Sequence, residues 1–378
     1  MEEILFDDFK KPKPEDWRNH IVKELKGKPI EELNWAIAGV EGKPFYTKDD
    51  LPKDLPVLQL ENSQADELGA RNWVNYQVIK VDDEKLANET ALLALNNGAN
   101  GLLFQVSKLV NFDLLLKDIL LPYCSVAFEV NNDADALVTA FENYVDTNKI
   151  DPKAVRGFIH SKRASSLSKL PNFRVLFSEE KNENTIMGLA ILLARVIDNI
   201  DENAADEAEA SKWLRQIEFS LCLGESYFLE IARHRAMRIL VQQLAKSYRI
   251  ALTTSEIRIA SSSGQWNEPT KDEYNYLLRA TTEAMAAIMG GTDAIIVKPF
   301  HELFKKNPAQ GERIARNIST ILKDESYLNK ALDPSAGSYY IESLTAQIVE
   351  KTWAMVQKVE RMGGIKKLTE KEIKTLTN

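Results

Sequence analysis

The 378-residue chain is 44% hydrophobic and carries a formal charge of −8 at pH 7, enough apolar material for one large α/β domain with extensions or for two ordinary domains. Its acidic residues are scattered among basic ones, which argues against nucleic acid or an anionic membrane as the main partner. The opening MEEILFDDFKKPKPEDW has no basic region followed by an apolar one, and no run approaches the roughly 18 apolar residues of a membrane helix, so a cytoplasmic location is expected.

In chain order, residues 1–66 hold one amphipathic helix, EDWRNHIVKELKG, with Trp17, Ile21, Val22 and Leu25 on one stripe, followed by the proline-punctuated GKPFYTKDDLPKDLPVLQL. Such a segment has too little apolar surface to fold alone and needs a surface outside itself to pack on. From there, β-branched or aromatic runs recur at 73–79, 101–106, 125–130, 155–160, 173–179, 217–223, 257–263 and 294–300. Between them, segments such as DEKLANETALLALNNG, TIMGLAILLARVIDNI and YFLEIARHRAMRILVQQLA place apolar residues at helical spacing. Strands separated by helices imply a parallel sheet, and eight such units predict a (β/α)8 TIM barrel over 67–364 rather than an open doubly wound sheet. Beyond the last strand, GERIARNISTILKDES and YYIESLTAQIVEKTWAMVQKVERMGG read as C-terminal helices, and residues 365–378 as a polar tail or the start of a linker.

In such a barrel, chemistry sits at the C-terminal ends of the strands. Ser261, Ser262 and Ser263 end the run at 257–263; small hydroxyl residues there line a passage for a polar ligand or simply bond the backbone of a strand-to-helix turn. Lys298 in a buried setting is a candidate for Schiff-base chemistry, as in an aldolase, against the plainer reading of a lysine paired with a carboxylate. Glu129, His160 and Glu179 fall near three strand ends and are the one set that converges as metal ligands if all face inward; no second histidine supports it, and no metal site is expected. Cys124 and Cys222 lie far apart in apolar runs and read as free thiols.

The C-terminal third is more specific. RIASSSGQWNEPTKDEYNYLLRATTEAMAAIMGGTDAI, then ERIARNISTILKDES, then DPSAGSYYIESLT resemble consecutive blocks of the methylmalonyl-CoA mutase family, in order and at its spacing. SYFLEIARHRAMRILVQQL and NWAIAGVEGKPFYTKDDL resemble further segments, the second its N-terminal arm, which implies that residues 1–66 are an extended arm for subunit contact; the similarity is strong over 217–364 and weak between 80 and 215. The resemblance implies a family that isomerises acyl-CoA thioesters by adenosylcobalamin radical chemistry, with the CoA tail threaded through a barrel lined by small hydroxyl residues and cobalamin held on a separate C-terminal domain. It makes Ser261, Ser262 and Ser263 the lining of a vestigial CoA channel and Arg258 a contact for CoA phosphates.

The departures from the family pattern decide what is expected of this chain. Where catalytic members carry Arg-Thr-His-Cys-Gln-Thr-Ser-Gly-Trp, this block has Ala260 and Ser261 in place of polar or reactive neighbours. Arg71-Asn72-Trp73 matches their Arg-Gln-Tyr, putting an indole where a phenol beside the substrate is expected. Ser178 or Glu179 stands where a Tyr-His pair provides the donor to the thioester carbonyl, and a carboxylate replaces such a donor only if protonated. The cobalt-ligating Asp-x-His-x-x-Gly signature is absent, and the sequence ends where a cobalamin domain is expected to begin. The resemblance therefore implies a non-catalytic small (β) subunit, with no catalytic residues and no cofactor bound by this chain alone. Adenosylcobalamin and acyl-CoA then belong to the holoenzyme, and the partner is a catalytic (α) mutase subunit, or a second copy in a homodimer when alone. A catalytic barrel that borrows cobalamin from another chain, and an unrelated lysine-dependent activity at Lys298, stay open as alternatives.

Overall fold

A computed structural model of the protein describes residues 13–51, 58, 60, 71–131, 134–161, 168–179, 184–264, 274–299 and 308–376. Helix α1 (Pro14–Glu24) is followed by a short antiparallel hairpin, β1 (Trp35–Ile37) and β2 (Val40–Gly42). Eight parallel strands then close a barrel: β3 (Val74–Val81), β4 (Gly101–Val106), β5 (Ser125–Val130), β6 (Arg156–Ser161), β7 (Asn172–Ser178), β8 (Ile217–Cys222), β9 (Arg258–Ser262) and β10 (Ala294–Ile296), with β10 pairing both β9 and β3. All eight strands read from the sequence form, and the (β/α)8 barrel is the observed architecture. The last strand is shorter than its apolar run because Pro299 has no backbone donor and the Lys298 N–H is taken by Ser263 Oγ at 2.8 Å.

Around the strands stand α2 (Glu84–Asn96), α3 (Phe112–Leu115), α4 (Ala134–Thr147), α5 (Thr185–Asn203), α6 (Glu207–Arg215), α7 (Tyr227–Ser247), α8 (Tyr274–Gly290), α9 (Pro308–Asp324), α10 (Tyr339–Arg361) and α11 (Glu370–Thr375). Their starts follow local chemistry: Asp83 accepts from Leu86 N at 2.9 Å, Asn184 from Met187 N at 3.1 Å and Asp206 from Glu209 N at 2.9 Å, each using one orphan donor of a helix N-terminus.

Strand alternation sorts the barrel residues into two sets. Outward-facing Leu102, Phe104, Val126, Phe128, Ile217, Phe219, Ile257 and Ile259 join helix residues in the main core between barrel and helices. Inward-facing Tyr76, Leu103, Ala127, Phe158, Leu176, Ala260, Ala294 and Ile296 form a second apolar cluster on the barrel axis. Gly157 (φ 143°) lets β6 lie against β5: a Cβ there would meet the Val126 carbonyl oxygen at 1.8 Å.

Two segments differ from the sequence reading. Residues 365–376, expected as a polar tail, dock through Ile365 and Leu376, which pack with Met187, Ala194 and Val359; Thr369 and Glu372 supply a reciprocal cap for α11. In the arm, the hairpin lies on this chain's own C-terminal helix: Gln347 bonds both the N–H and the carbonyl of Glu41 at 2.8 and 3.0 Å, and Trp35 and Tyr340 meet edge to face. Helix α1 has no buried residue, and Trp17 of its apolar stripe stacks on Phe45 at 4.4 Å.

Candidate functional site at the barrel mouth

The C-terminal strand ends enclose a cavity of about 370 Å³ lined by Val78, Gln105, Glu129, His160, Ser178, Ser220, Cys222, Ser262 and Lys298 among others. These positions follow from the fold: each lies two residues beyond, or beside, an inward-facing residue of the axial cluster, so the pleat turns it inward at the rim. Below the rim the axis is filled. Tyr76 is 4%, Leu103 7%, Phe158 0% and Leu176 6% exposed, the Tyr76 hydroxyl is 2.8 Å from Ser125 Oγ, and the Tyr76 and Phe158 rings meet at 5.3 Å.

At the rim, four side chains from four adjacent strands stand in line. Ser178 Oγ is 3.1 Å from His160 Nε2, His160 Nδ1 is 3.5 Å from Glu129 Oε1, and Gln105 Nε2 donates to Glu129 Oε2 at 2.8 Å. The contact with His160 is the main influence holding the Glu129 carboxyl below its usual range, and the Lys298 charge acts in the same direction. Glu179 also borders the cavity but is turned to Arg233, 3.1 Å away, and both side chains are at most 6% exposed. Burial drives the Glu179 carboxyl up, against the pull of Arg233.

The structure separates the residues singled out in the sequence. Ser178, Glu179 and Ser262 reach the mouth, with Lys298, Glu129 and His160. Trp73 does not: it precedes β3 and is buried outside the barrel against Ala284, Ile288, Ala315 and Ile318, its Nε1–H donating to Ser319 Oγ at 2.8 Å. The inward residue of that strand at the mouth is Val78. Ser261 faces outward, bonded to His234 Nε2 at 2.8 Å and Thr292 Oγ1 at 2.7 Å, and Ser263 is buried with its Oγ accepting from Lys298 N. Odd and even positions of one strand point to opposite faces, so the three serines cannot line one passage together. Arg258 is at the opposite end of the barrel, 3.5 Å from Asp293, which also pairs with Arg238 at 2.6 Å. Arg174 and Glu218 interact with this group; burial pushes the Arg174 guanidinium down to about 10 and the Glu218 carboxyl up.

Glu129 and His160 are neighbours while Glu179 is committed to Arg233, and among the described residues no three His, Cys, Asp or Glu side chains form a metal-binding group. His301, and Gln265 and Trp266 of the serine block, lie outside the described residues. Cys124 and Cys222 are free thiols; burial raises the Cys124 thiol to about 11, whereas Cys222 lines the mouth. Val78, Gln105 and Ser220 carry no signal in the sequence and Cys222 reads there only as a free thiol; strand alternation finds all four once one inward residue per strand is known. No described helix is long and apolar enough to cross a membrane.

The sequence profile of the methylmalonyl-CoA mutase family matches residues 179–376. The chain is 33% identical to a methylmalonyl-CoA mutase small subunit of Porphyromonas gingivalis, over 97% of this chain and 66% of that protein. It is 34% identical to the large subunit of the same organism over 41% of this chain and 22% of that subunit, and 24% identical to a methylmalonyl-CoA mutase of Cereibacter sphaeroides over 93% and 59%. The chain thus spans less than two-thirds of the length of these relatives.

Proposed function

Since the chain belongs to the methylmalonyl-CoA mutase family, a family of isomerases, we propose that it serves as the non-catalytic small subunit of such a mutase, pairing with a catalytic large subunit and stabilising it. The observation that carries this reading is the filled barrel axis. A CoA tail threaded through the barrel needs an open core, and Tyr76, Leu103, Phe158 and Leu176 occupy that space as one buried cluster. The division of the Porphyromonas gingivalis enzyme into small and large subunits, both similar to this chain, supports a partner of the same family.

Among the described histidines none stands in a cavity with a ring nitrogen left open, which supports a chain that does not hold cobalamin by itself. His234 is fully buried with both ring nitrogens bonded, and His160 at the mouth has its two ring nitrogens directed at Ser178 and Glu129. His20 lies on the exposed face of α1 beside Glu24.

The test is turnover. The chain alone, supplied with adenosylcobalamin and methylmalonyl-CoA, is expected to form no succinyl-CoA above background, and to bring no base-off, histidine-ligated cobalamin spectrum. The polar mouth favours one alternative, a catalytic barrel served by a cobalamin domain on another chain. Turnover that appears when such a domain is added without any large subunit would establish that alternative instead.

A further inference from the structure

The line of side chains at the mouth carries chemistry that a purely structural subunit does not need. Ser178, His160 and Glu129 come from three adjacent strands, β7, β6 and β5, and all three border the same cavity. A nucleophile within hydrogen-bond reach of an imidazole, with a third group orienting that imidazole, is the geometric signature of an activated hydroxyl. Here the Ser178 O–H donates to His160 Nε2 at 3.1 Å when His160 carries its proton on Nδ1, toward Glu129 Oε1 at 3.5 Å. Glu129 is itself fixed from its other oxygen by Gln105 Nε2 at 2.8 Å. Its carboxyl is held charged chiefly by His160, which favours that tautomer. The imidazole and carboxylate side chains are 28% and 38% exposed, open to substrate and water rather than sealed in the core. Lys298 lines the same cavity, close enough for its charge to act on the Glu129 carboxyl.

We propose that Ser178, His160 and Glu129 act as nucleophile, general base and orienting carboxylate for the hydrolysis of small activated acyl compounds, esters or thioesters, at the barrel mouth. Ser178 Oγ forms a bond to the acyl carbon as its proton passes to His160 Nε2. The carbon–oxygen or carbon–sulfur bond then breaks, and the leaving alkoxide or thiolate takes that proton. Water then attacks the acyl carbon as one of its protons passes to His160 Nε2; the bond from that carbon to Ser178 Oγ breaks, the same proton passes from His160 to Oγ, and a carboxylic acid is released. The cavity of about 370 Å³ fits an acyl group of a few carbons, and the filled axis beneath it gives no room for a long chain. This activity is independent of the mutase-subunit reading and uses no cofactor.

The experiment uses the full chain with three probes: p-nitrophenyl butyrate, the N-acetylcysteamine thioester of butyrate, and a fluorophosphonate that traps activated serines. We expect the fluorophosphonate to add to Ser178, located by peptide mass spectrometry. We expect hydrolysis of at least one acyl probe, the ester and thioester arms telling which leaving group the site accepts. Ser178→Ala should abolish labelling and hydrolysis, and His160→Gln should lower both by roughly a hundredfold or more. Glu129→Gln should lower them less, with Glu129→Asp recovering part of the loss. Circular dichroism melts matched to the parent chain exclude unfolding as the cause; if Ser178→Ala melts early, the fluorophosphonate site on the unmodified chain decides alone. Labelling absent from Ser178, or hydrolysis undiminished in folded Ser178→Ala or His160→Gln, would overturn the proposal.

Discussion

At the floor of the barrel Glu218 and Asp293 are buried and Arg174 and Arg258 partly buried, and their charges are directed at one another, at Arg238 and at backbone groups, Asp293 also accepting from Ile259 N at 2.8 Å. At the mouth, one barrel length away, Glu129 and His160 are partly exposed and face a cavity. The same fold thus holds two kinds of polar group. Those at the floor fix the structure, because each is desolvated and costly to leave without its partner. Those at the mouth bear little of the stability and remain reachable by a ligand, as expected where the strand ends of a barrel carry chemistry.

That contrast can be tested from the floor upward. Asp293→Ala leaves the buried Arg238 and the partly buried Arg258 without their shared carboxylate and is expected to cost about 3–5 kcal/mol, read as a lowered denaturant midpoint. Burial alone would raise the Asp293 carboxyl, but Arg238 and Arg258 outweigh it and hold it below the usual range. One layer up, Phe158→Ala empties the axial cluster and should cost about 3–5 kcal/mol, or somewhat less where neighbours collapse into the space. A cost under about 1 kcal/mol would mean that the axis is not packed as described.

His234, outside the barrel wall, gives a pH-dependent effect of intermediate size. Burial first, then the Arg233 charge, depress its imidazole to about 3, while an unfolded histidine titrates near 6.5. The folded state therefore binds fewer protons between these values. Its contribution is full above about pH 6.5 and is lost as pH falls toward 3, by on the order of a few kcal/mol. His234→Gln should lower stability at neutral pH, since Ser261 and the Glu230 carbonyl lose well-placed partners, yet flatten the acid limb of the stability profile. An unchanged acid limb would contradict the buried neutral imidazole. The smallest effect belongs to the surface: Lys366→Ala removes an exposed pair with Glu202 and should change stability by no more than about 1 kcal/mol.

How much of this was legible in the sequence varied with the physics involved. The barrel was, because eight β-branched runs alternate with helical spacing and little else satisfies that pattern. The hairpin was not: three-residue strands carry no period, and what fixes this one is Gly42, where an added Cβ would lie 2.0 Å from the Trp35 ring. Helix α11 was missed since its residues are mostly polar and its stability comes from a reciprocal cap and two docked apolar side chains. At the site, Ser178, Glu179 and Ser262 fall where strand ends place them. Trp73, Ser261 and Arg258 do not, because which face of a strand a residue occupies depends on register, and register depends on the partner strands.

We propose that this chain works as a partner of a catalytic subunit rather than as an enzyme of mutase chemistry in its own right. The most direct test is size-exclusion chromatography with light scattering on the chain alone and mixed with the large mutase subunit of the same organism. We expect a stable complex of the two chains that survives dilution, with the mixture and not the isolated chain turning over methylmalonyl-CoA. A chain that never co-elutes with the large subunit in any mixture would contradict the claim.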